Sequence, residues 1–130
     1  MKTIVACVAE VSAQDKNVRV HKLTAAVDAG MFINPGGALA QVQGGMTMAL
    51  SSALFEETTV RNGSLSPQNF GAYRFLTNSA APEIEVELLE SGSQPYGMGE
   101  PPLGPVAPAV ANAIFVLTGQ RLRRLPFKLA

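Results

Sequence analysis

NPGGALAQVQGGMTMALSSA, residues 34–53, contains the clearest structural signal in the sequence. Asn34 can cap the free amides at the start of a helix, and Pro35 suits the first helical position. Apolar residues then recur at steps of three and four, which predicts an amphipathic helix of about five turns. They are Leu39, Val42, Met46, Ala49, Leu50 and Ala53.

Two adjacent glycines, Gly44 and Gly45, interrupt this helix. A glycine in a helix interior costs about 1 kcal/mol relative to alanine. Such a cost is tolerated where another group must come very close to the backbone. Tight packing on a neighbouring helix or strand is the simpler interpretation, and close approach of a ligand is the alternative.

Short strands flank the helix on both sides. Ile4–Val11 has the composition of a mostly buried strand, and a polar turn connects it to a returning strand over Val18–Val27. Leu54–Val60 is a further predicted strand. Asn62-Gly63 is a strong tight-turn signal that leads into a short strand at Ser64-Leu65.

The second half of the chain alternates between irregular and regular segments. Pro67–Ala81 is predicted to be irregular, whereas Glu83–Leu88 alternates cleanly and is typical of a strand with one wet face. The glutamates of this strand are interpreted as solvated rather than catalytic. A Gly/Pro-rich loop, Ser91–Pro105, precedes a nearly all-apolar helix over Pro105–Thr118, which Gly119 ends. Such a helix is expected to be buried on most sides.

These elements predict an α+β fold, in which short antiparallel strands pack with two main helices in a single domain over residues 1–130. Hydrophobic residues make up 47% of the chain and charged residues 15%, which excludes a disordered polymer. The formal net charge is zero, so nucleic-acid binding is not expected. The basic residues Arg121, Arg123 and Arg124 are interpreted as a solvated tail or an interface rim.

Few residues could build a metal or redox site from protein ligands alone. Cys7 is the only cysteine and His21 the only histidine, so we predict neither a disulfide nor a metal site made of protein side chains. His21 is assigned no role. The longest apolar stretch, Val106–Leu117, falls short of the roughly 20 residues that cross a bilayer. We therefore expect a soluble chain without membrane insertion or targeting signal, with the cytoplasm as the default compartment.

Glu100 is the best candidate for chemistry. It lies in YGMGEPP, residues 96–102, where Gly97 and Gly99 free the backbone and two prolines then stiffen it. This arrangement can hold one carboxylate rigidly beside a buried helix, where poor solvation favours proton transfer. A loop glutamate is nevertheless most often an ordinary surface residue.

Several segments together resemble a known family. They are Val27-Asp28-Ala29-Gly30, Asn34-Pro35, Gln41–Gly45, Pro82–Val86, Gly97–Pro101, Ala107–Phe115 and Thr118–Phe127. In this order and spacing they resemble the C-terminal segment of the molybdenum-binding large subunit of xanthine-oxidase-type molybdenum hydroxylases. The similarity is greatest to the isoquinoline 1-oxidoreductase beta subunit and related aldehyde dehydrogenases.

The resemblance implies a role for each matching residue. Glu100 matches the family's glutamate that acts as general base, and Gln41 matches a glutamine that approaches the cofactor. Gly44, Gly45, Gly97 and Gly99 would then lie against the cofactor. The implied cofactor is molybdopterin, in its cytosine dinucleotide form, with molybdenum.

The family's subunit is several times longer than this chain, so two hypotheses stay open. In the first, the chain completes a hydroxylase that oxidises an N-heteroaromatic or aldehyde small molecule, together with the remainder of a molybdenum-binding subunit and an iron–sulfur subunit. The isolated chain would then be inactive and without cofactor. In the second, it is a non-catalytic domain that folds without cofactor and self-associates as a homo-oligomer.

Overall fold

The computed structural model describes residues 2–130 as an α+β fold, as the sequence predicts. Its main sheet has three strands, β1 (Ile4–Gln14), β2 (Asn17–Asp28) and β5 (Glu83–Leu89), in the order β1-β2-β5. The first two pair antiparallel as the predicted hairpin. The third lies parallel to β2, so the prediction of antiparallel strands is wrong at this position. The parallel arrangement arises because a helix crosses over between β2 and β5.

That crossover helix, α1, spans Pro35–Leu54, close to the predicted range. Asn34 caps it as expected, since its Oδ1 accepts a hydrogen bond of 3.0 Å from the backbone N–H of Gly37. The predicted strand Leu54–Val60 is largely wrong. The helix continues to Leu54, where the backbone N–H of Phe55 still donates to the carbonyl of Ser51.

A small hairpin follows the helix, formed by β3 (Thr59–Arg61) and β4 (Ser64–Ser66). Its turn contains Asn62 and Gly63, both with positive φ, as the sequence predicts. Residues 67–81 contain only a short 3-10 turn at Asn78–Ala80.

The core lies between one face of the three-stranded sheet and the two helices. The second helix, α2, spans Val106–Thr118 and packs mainly on β1, whereas α1 packs on β5. The largest fully buried side chains come from β2, α1, α2 and the loop before α2: Leu23, Val27, Val42, Met46, Leu50, Pro102, Val106, Val110 and Ile114. Each such aliphatic side chain contributes about 1.5–3 kcal/mol when it leaves water.

Two expectations about burial are wrong. β1 is an edge strand whose outward side chains are exposed, Ile4 by 69% and Val8 by 66%. α2 leaves Val116 86% and Leu117 52% exposed, because the sheet and α1 cover only one side of this helix. The apolar character of both elements therefore exceeds what packing within this chain requires.

No helix of residues 2–130 is long and apolar enough to cross a membrane. Within the same range, no group of three or more His, Cys, Asp or Glu side chains is placed to hold a metal ion. His21 is exposed, and its Nε2 lies 2.7 Å from the hydroxyl of Ser12. Arg121, in the basic tail, stacks over the ring of Phe115 at 3.5 Å.

Candidate functional site

The loop that carries Glu100 is seated directly on helix α1. Gly45 is buried, and a Cβ atom built there would lie 3.0 Å from Cδ1 of Leu103 and 3.7 Å from Cβ of Pro102. Pro102 is itself fully buried. The close approach at Gly45 is therefore tight packing within the chain, as the simpler interpretation expects, but the neighbour is a loop and not a helix or strand.

The loop lies along this side of α1 over several helical turns. An open hollow of about 240 Å³ lies between Gly37, at the start of the helix, and Tyr96 and Met98 of the loop. Gly37, Gln41 and Gly45 are four residues apart, so they lie on one side of the helix. Gln41 is thus on the side of α1 that faces the loop, and its side chain is exposed.

Glu100 is exposed, so the expectation of poorly solvated surroundings is wrong for this chain. The ion pairs among residues 2–130 join Lys22 to Glu83 and Glu85, and Lys128 to Glu57, and none includes Glu100. The carbonyl of Glu100 accepts a hydrogen bond of 2.9 Å from the N–H of Leu103, which closes a turn immediately before α2. This turn fixes the backbone of Glu100, whose side chain is exposed.

Three of the glycines singled out in the sequence have space beside them. A Cβ atom at Gly44, Gly97 or Gly99 would meet no other heavy atom within 4 Å, and none of the three has a positive φ. Packing inside this chain therefore does not require glycine at these positions. An open backbone surface of this kind fits a large polar ligand that approaches from outside.

The glutamates of β5 behave as predicted. Their side chains are exposed, and the Lys22 ammonium lies 3.2 Å from Glu83 and 2.7 Å from Glu85. The hydrogen bond to Lys22, and then its charge, lowers the pKa of Glu85. These carboxylates form a surface cluster on the outer face of the sheet.

Asp28 and Gly30 lie in a segment that carries the family resemblance, but the sequence alone assigned them no role in holding the other end of the Glu100 loop. Asp28 Oδ1 accepts hydrogen bonds from the N–H of Gly30, at 2.9 Å, and from the hydroxyl of Ser91, at 2.8 Å. Gly30 has a positive φ, and the contact of this turn with the loop was not predicted, since Asp28 and Ser91 are 63 residues apart.

Comparison with known protein families shows the class of protein to which the chain belongs. Residues 1–82 match the Molybdopterin cofactor-binding domain family, and the chain belongs to that family. The resemblance to the molybdenum hydroxylases is thereby confirmed.

Two individual relatives are similar to nearly the whole chain. The chain is 41% identical, over 94% of its length, to a membrane-bound aldehyde dehydrogenase (pyrroloquinoline-quinone) of Gluconacetobacter polyoxogenes. It is 38% identical, over 95% of its length, to the isoquinoline 1-oxidoreductase subunit beta of Brevundimonas diminuta. It spans only 16% of either relative.

A solved structure confirms the fold. The quinoline 2-oxidoreductase of Pseudomonas putida 86 superposes on 75% of the chain with a TM-score of 0.70 and 30% sequence identity, and the chain spans 13% of it. The roles of Glu100, Gln41, Gly44, Gly45, Gly97 and Gly99 stay predictions.

Proposed function

We propose that this chain is a component of a molybdenum hydroxylase that oxidises aldehydes or N-heteroaromatic compounds, with Glu100 as its general base. The observation that carries the proposal is the seating of Pro102 and Leu103 on Gly45. The loop of Glu100 thus packs on the side of α1 that carries Gln41, and both residues are exposed, which supports a shared role. Membership of the molybdopterin-binding family and the names of the relatives support the reaction class.

The described residues fit a molybdopterin cofactor. The exposed amide of Gln41 can donate and accept hydrogen bonds, and the open backbone at Gly44, Gly97 and Gly99 permits close approach. When bound, molybdenum supplies the oxygen transfer and accepts a pair of electrons from the substrate. The cytosine dinucleotide form of the cofactor is proposed because the family resemblance of the sequence implies it.

In this scheme Glu100 accepts the proton that is lost while the substrate is attacked. Its carboxylate is unpaired within residues 2–130 and its backbone is held by the turn to Leu103, so little reorganisation is needed before proton transfer. Gln41 orients the cofactor and takes no proton.

The proposed partners are suggested by the small share of its relatives that the chain spans and by the exposed apolar residues of α2. The chain spans 16% of its relatives, and α2 presents Val116 and Leu117 to solvent. We propose that the remainder of a molybdenum-binding subunit covers this apolar side, and that an iron–sulfur subunit removes the electrons. These same exposed residues also favour the second candidate, a cofactor-free domain that self-associates through them.

Substitution of Glu100 by glutamine in the assembled enzyme tests the general base. Turnover is expected to fall by roughly 10²–10⁴-fold, because the amide cannot accept the proton, while molybdenum and pterin content stay unchanged. Glu87→Gln is the matched control: Glu87 is exposed on β5 and forms no ion pair among the described residues, so turnover should be retained. Full turnover in E100Q with cofactor bound would remove Glu100 as the base.

Metal and nucleotide analysis of the purified protein separates the two candidate functions. Molybdenum, together with CMP released by acid hydrolysis, would support the hydroxylase and the dinucleotide form. A stable oligomer of this chain that contains neither, even when it is co-expressed with its neighbouring genes, would support the non-catalytic domain.

A further inference from the structure

We propose that the turn after β2, residues 28–31, positions Glu100, with Asp28 and Gly30 as the positioning residues. This inference rests on the proposed function, because it assigns residues that act through Glu100. Neither residue touches Glu100, and their effect is exerted through the backbone of residues 91–97.

Asp28 connects the turn to the start of the loop. One of its carboxylate oxygens, Oδ1, accepts two hydrogen bonds, from the N–H of Gly30 at 2.9 Å and from the Ser91 hydroxyl at 2.8 Å. Asp28 is half-buried, whereas Ser91 is exposed. A single side chain thus fixes both the shape of the turn and the entry of the loop.

Two backbone hydrogen bonds continue the attachment. The N–H of Met31 donates to the carbonyl of Ser93 at 3.0 Å, and the N–H of Tyr96 donates to the carbonyl of Ala29 at 2.8 Å. Immediately after Tyr96, the carbonyl of Gly97 accepts a hydrogen bond of 2.7 Å from the Thr3 hydroxyl. The segment that leads to Glu100 is therefore held at successive points along its length.

Gly30 makes this close pairing possible. Its φ is +78°, and a Cβ atom there would overlap the carbonyl oxygen of Gln94 and lie 2.9 Å from that of Ser93. Any side chain would push the loop outward. Because Pro102 and Leu103 are seated on Gly45, Glu100 lies between two fixed ends, and a displacement of one end moves its carboxylate.

A double-mutant cycle with Glu100 tests this in the assembled enzyme. Asp28→Ala is expected to lower kcat by roughly 10–100-fold, the effect of misplacing a catalytic group by about 1 Å, with little change in KM. Asp28→Asn should restore most of the loss, since its amide oxygen can accept the same two hydrogen bonds. In an E100Q background, Asp28→Ala should cause no further fall, because no base remains to be positioned.

A purely structural role for Asp28 would lower activity equally in both backgrounds, and that result would overturn the proposal. Wild-type turnover in Asp28→Ala beside an impaired E100Q would overturn the positioning role alone, whereas full turnover in E100Q would overturn the general-base assignment and this inference with it. Ser91→Ala, which removes only one hydrogen bond, is the milder variant if Asp28→Ala fails to assemble. It should show a smaller fall with the same dependence on Glu100.

Discussion

The hairpin over Thr59–Ser66 depends on a glycine of its own, Gly63, whereas the loop over Ser91–Pro105 packs against glycines elsewhere in the chain, Gly30 and Gly45. The hairpin is exposed throughout and pairs only with itself around Asn62-Gly63. The loop is attached to the turn after β2, to Thr3 and to α1, all distant in sequence. A locally specified segment can be read from its own residues, whereas the geometry of the Glu100 loop depends on contacts that only the folded chain provides.

Gly30→Ala and Gly63→Ala give the largest expected contrast. The two glycines have nearly the same φ, +78° and +79°, so both substitutions carry the left-handed strain of about 1–2 kcal/mol. A methyl group at Gly63 meets no atom within 4 Å, whereas at Gly30 it overlaps the Gln94 carbonyl. Urea unfolding should therefore show a clearly greater loss of unfolding free energy for Gly30→Ala. Equal losses would mean that the loop is not held against the turn as described.

A second contrast separates the adjacent glycines of α1. Gly44→Ala should stabilise the chain by about 0.5–1 kcal/mol, since alanine favours the helix and the new methyl group meets open space. At Gly45 the same gain should be offset by crowding against Leu103.

The assembled enzyme adds a second measurement for the same variant. If Gly44 lies against the cofactor, Gly44→Ala should retain less molybdenum per subunit despite its greater stability. Unchanged molybdenum content would remove Gly44 from the cofactor-binding residues.

The smallest expected effect concerns Glu56, which attaches the irregular segment after the hairpin to the end of α1. Hydrogen bonds from Ser51, and then from Tyr73 and Ser52, outweigh burial and hold the pKa of Glu56 below its usual range. A lowered folded-state pKa contributes stability at neutral pH that is lost as the pH falls through that pKa.

The Glu56→Gln variant should therefore lose less stability than the wild-type protein between about pH 7 and about pH 4. The urea midpoints at both pH values measure this. Glu87→Gln serves as the control, because Glu87 forms no ion pair among the described residues. The same pH dependence in wild type and Glu56→Gln would contradict the assigned hydrogen bonds.

Much of the fold was predictable because its signals are local. The Asn34 cap, the period of α1, the Asn62-Gly63 turn and the left-handed Gly119 at the end of α2 each depend on neighbouring residues, and the structure has all four. The parallel placement of β5 was not predictable from its own alternation, because strand direction depends on the path of the crossover. The exposure of Val116 was missed because an apolar helix does not reveal what covers it.

The residues of the candidate site also differ in how far they could be predicted from local sequence. Glu100 stood out through its Gly and Pro neighbours, and Gln41 through family resemblance. Two contacts depend on long-range packing that no local pattern encodes. Leu103 packs on Gly45, and Asp28 accepts a hydrogen bond from Ser91. The residues proposed to carry chemistry were thus easier to find than the residues proposed to position them.

An experimental structure of the assembled enzyme with its cofactor bound tests the central claim most directly. We expect the Glu100 carboxylate and the Gln41 amide to contact the same bound group, with Pro102 and Leu103 still packed on Gly45. A Glu100 side chain that faces solvent or a partner surface, with the cofactor bound elsewhere, would contradict it.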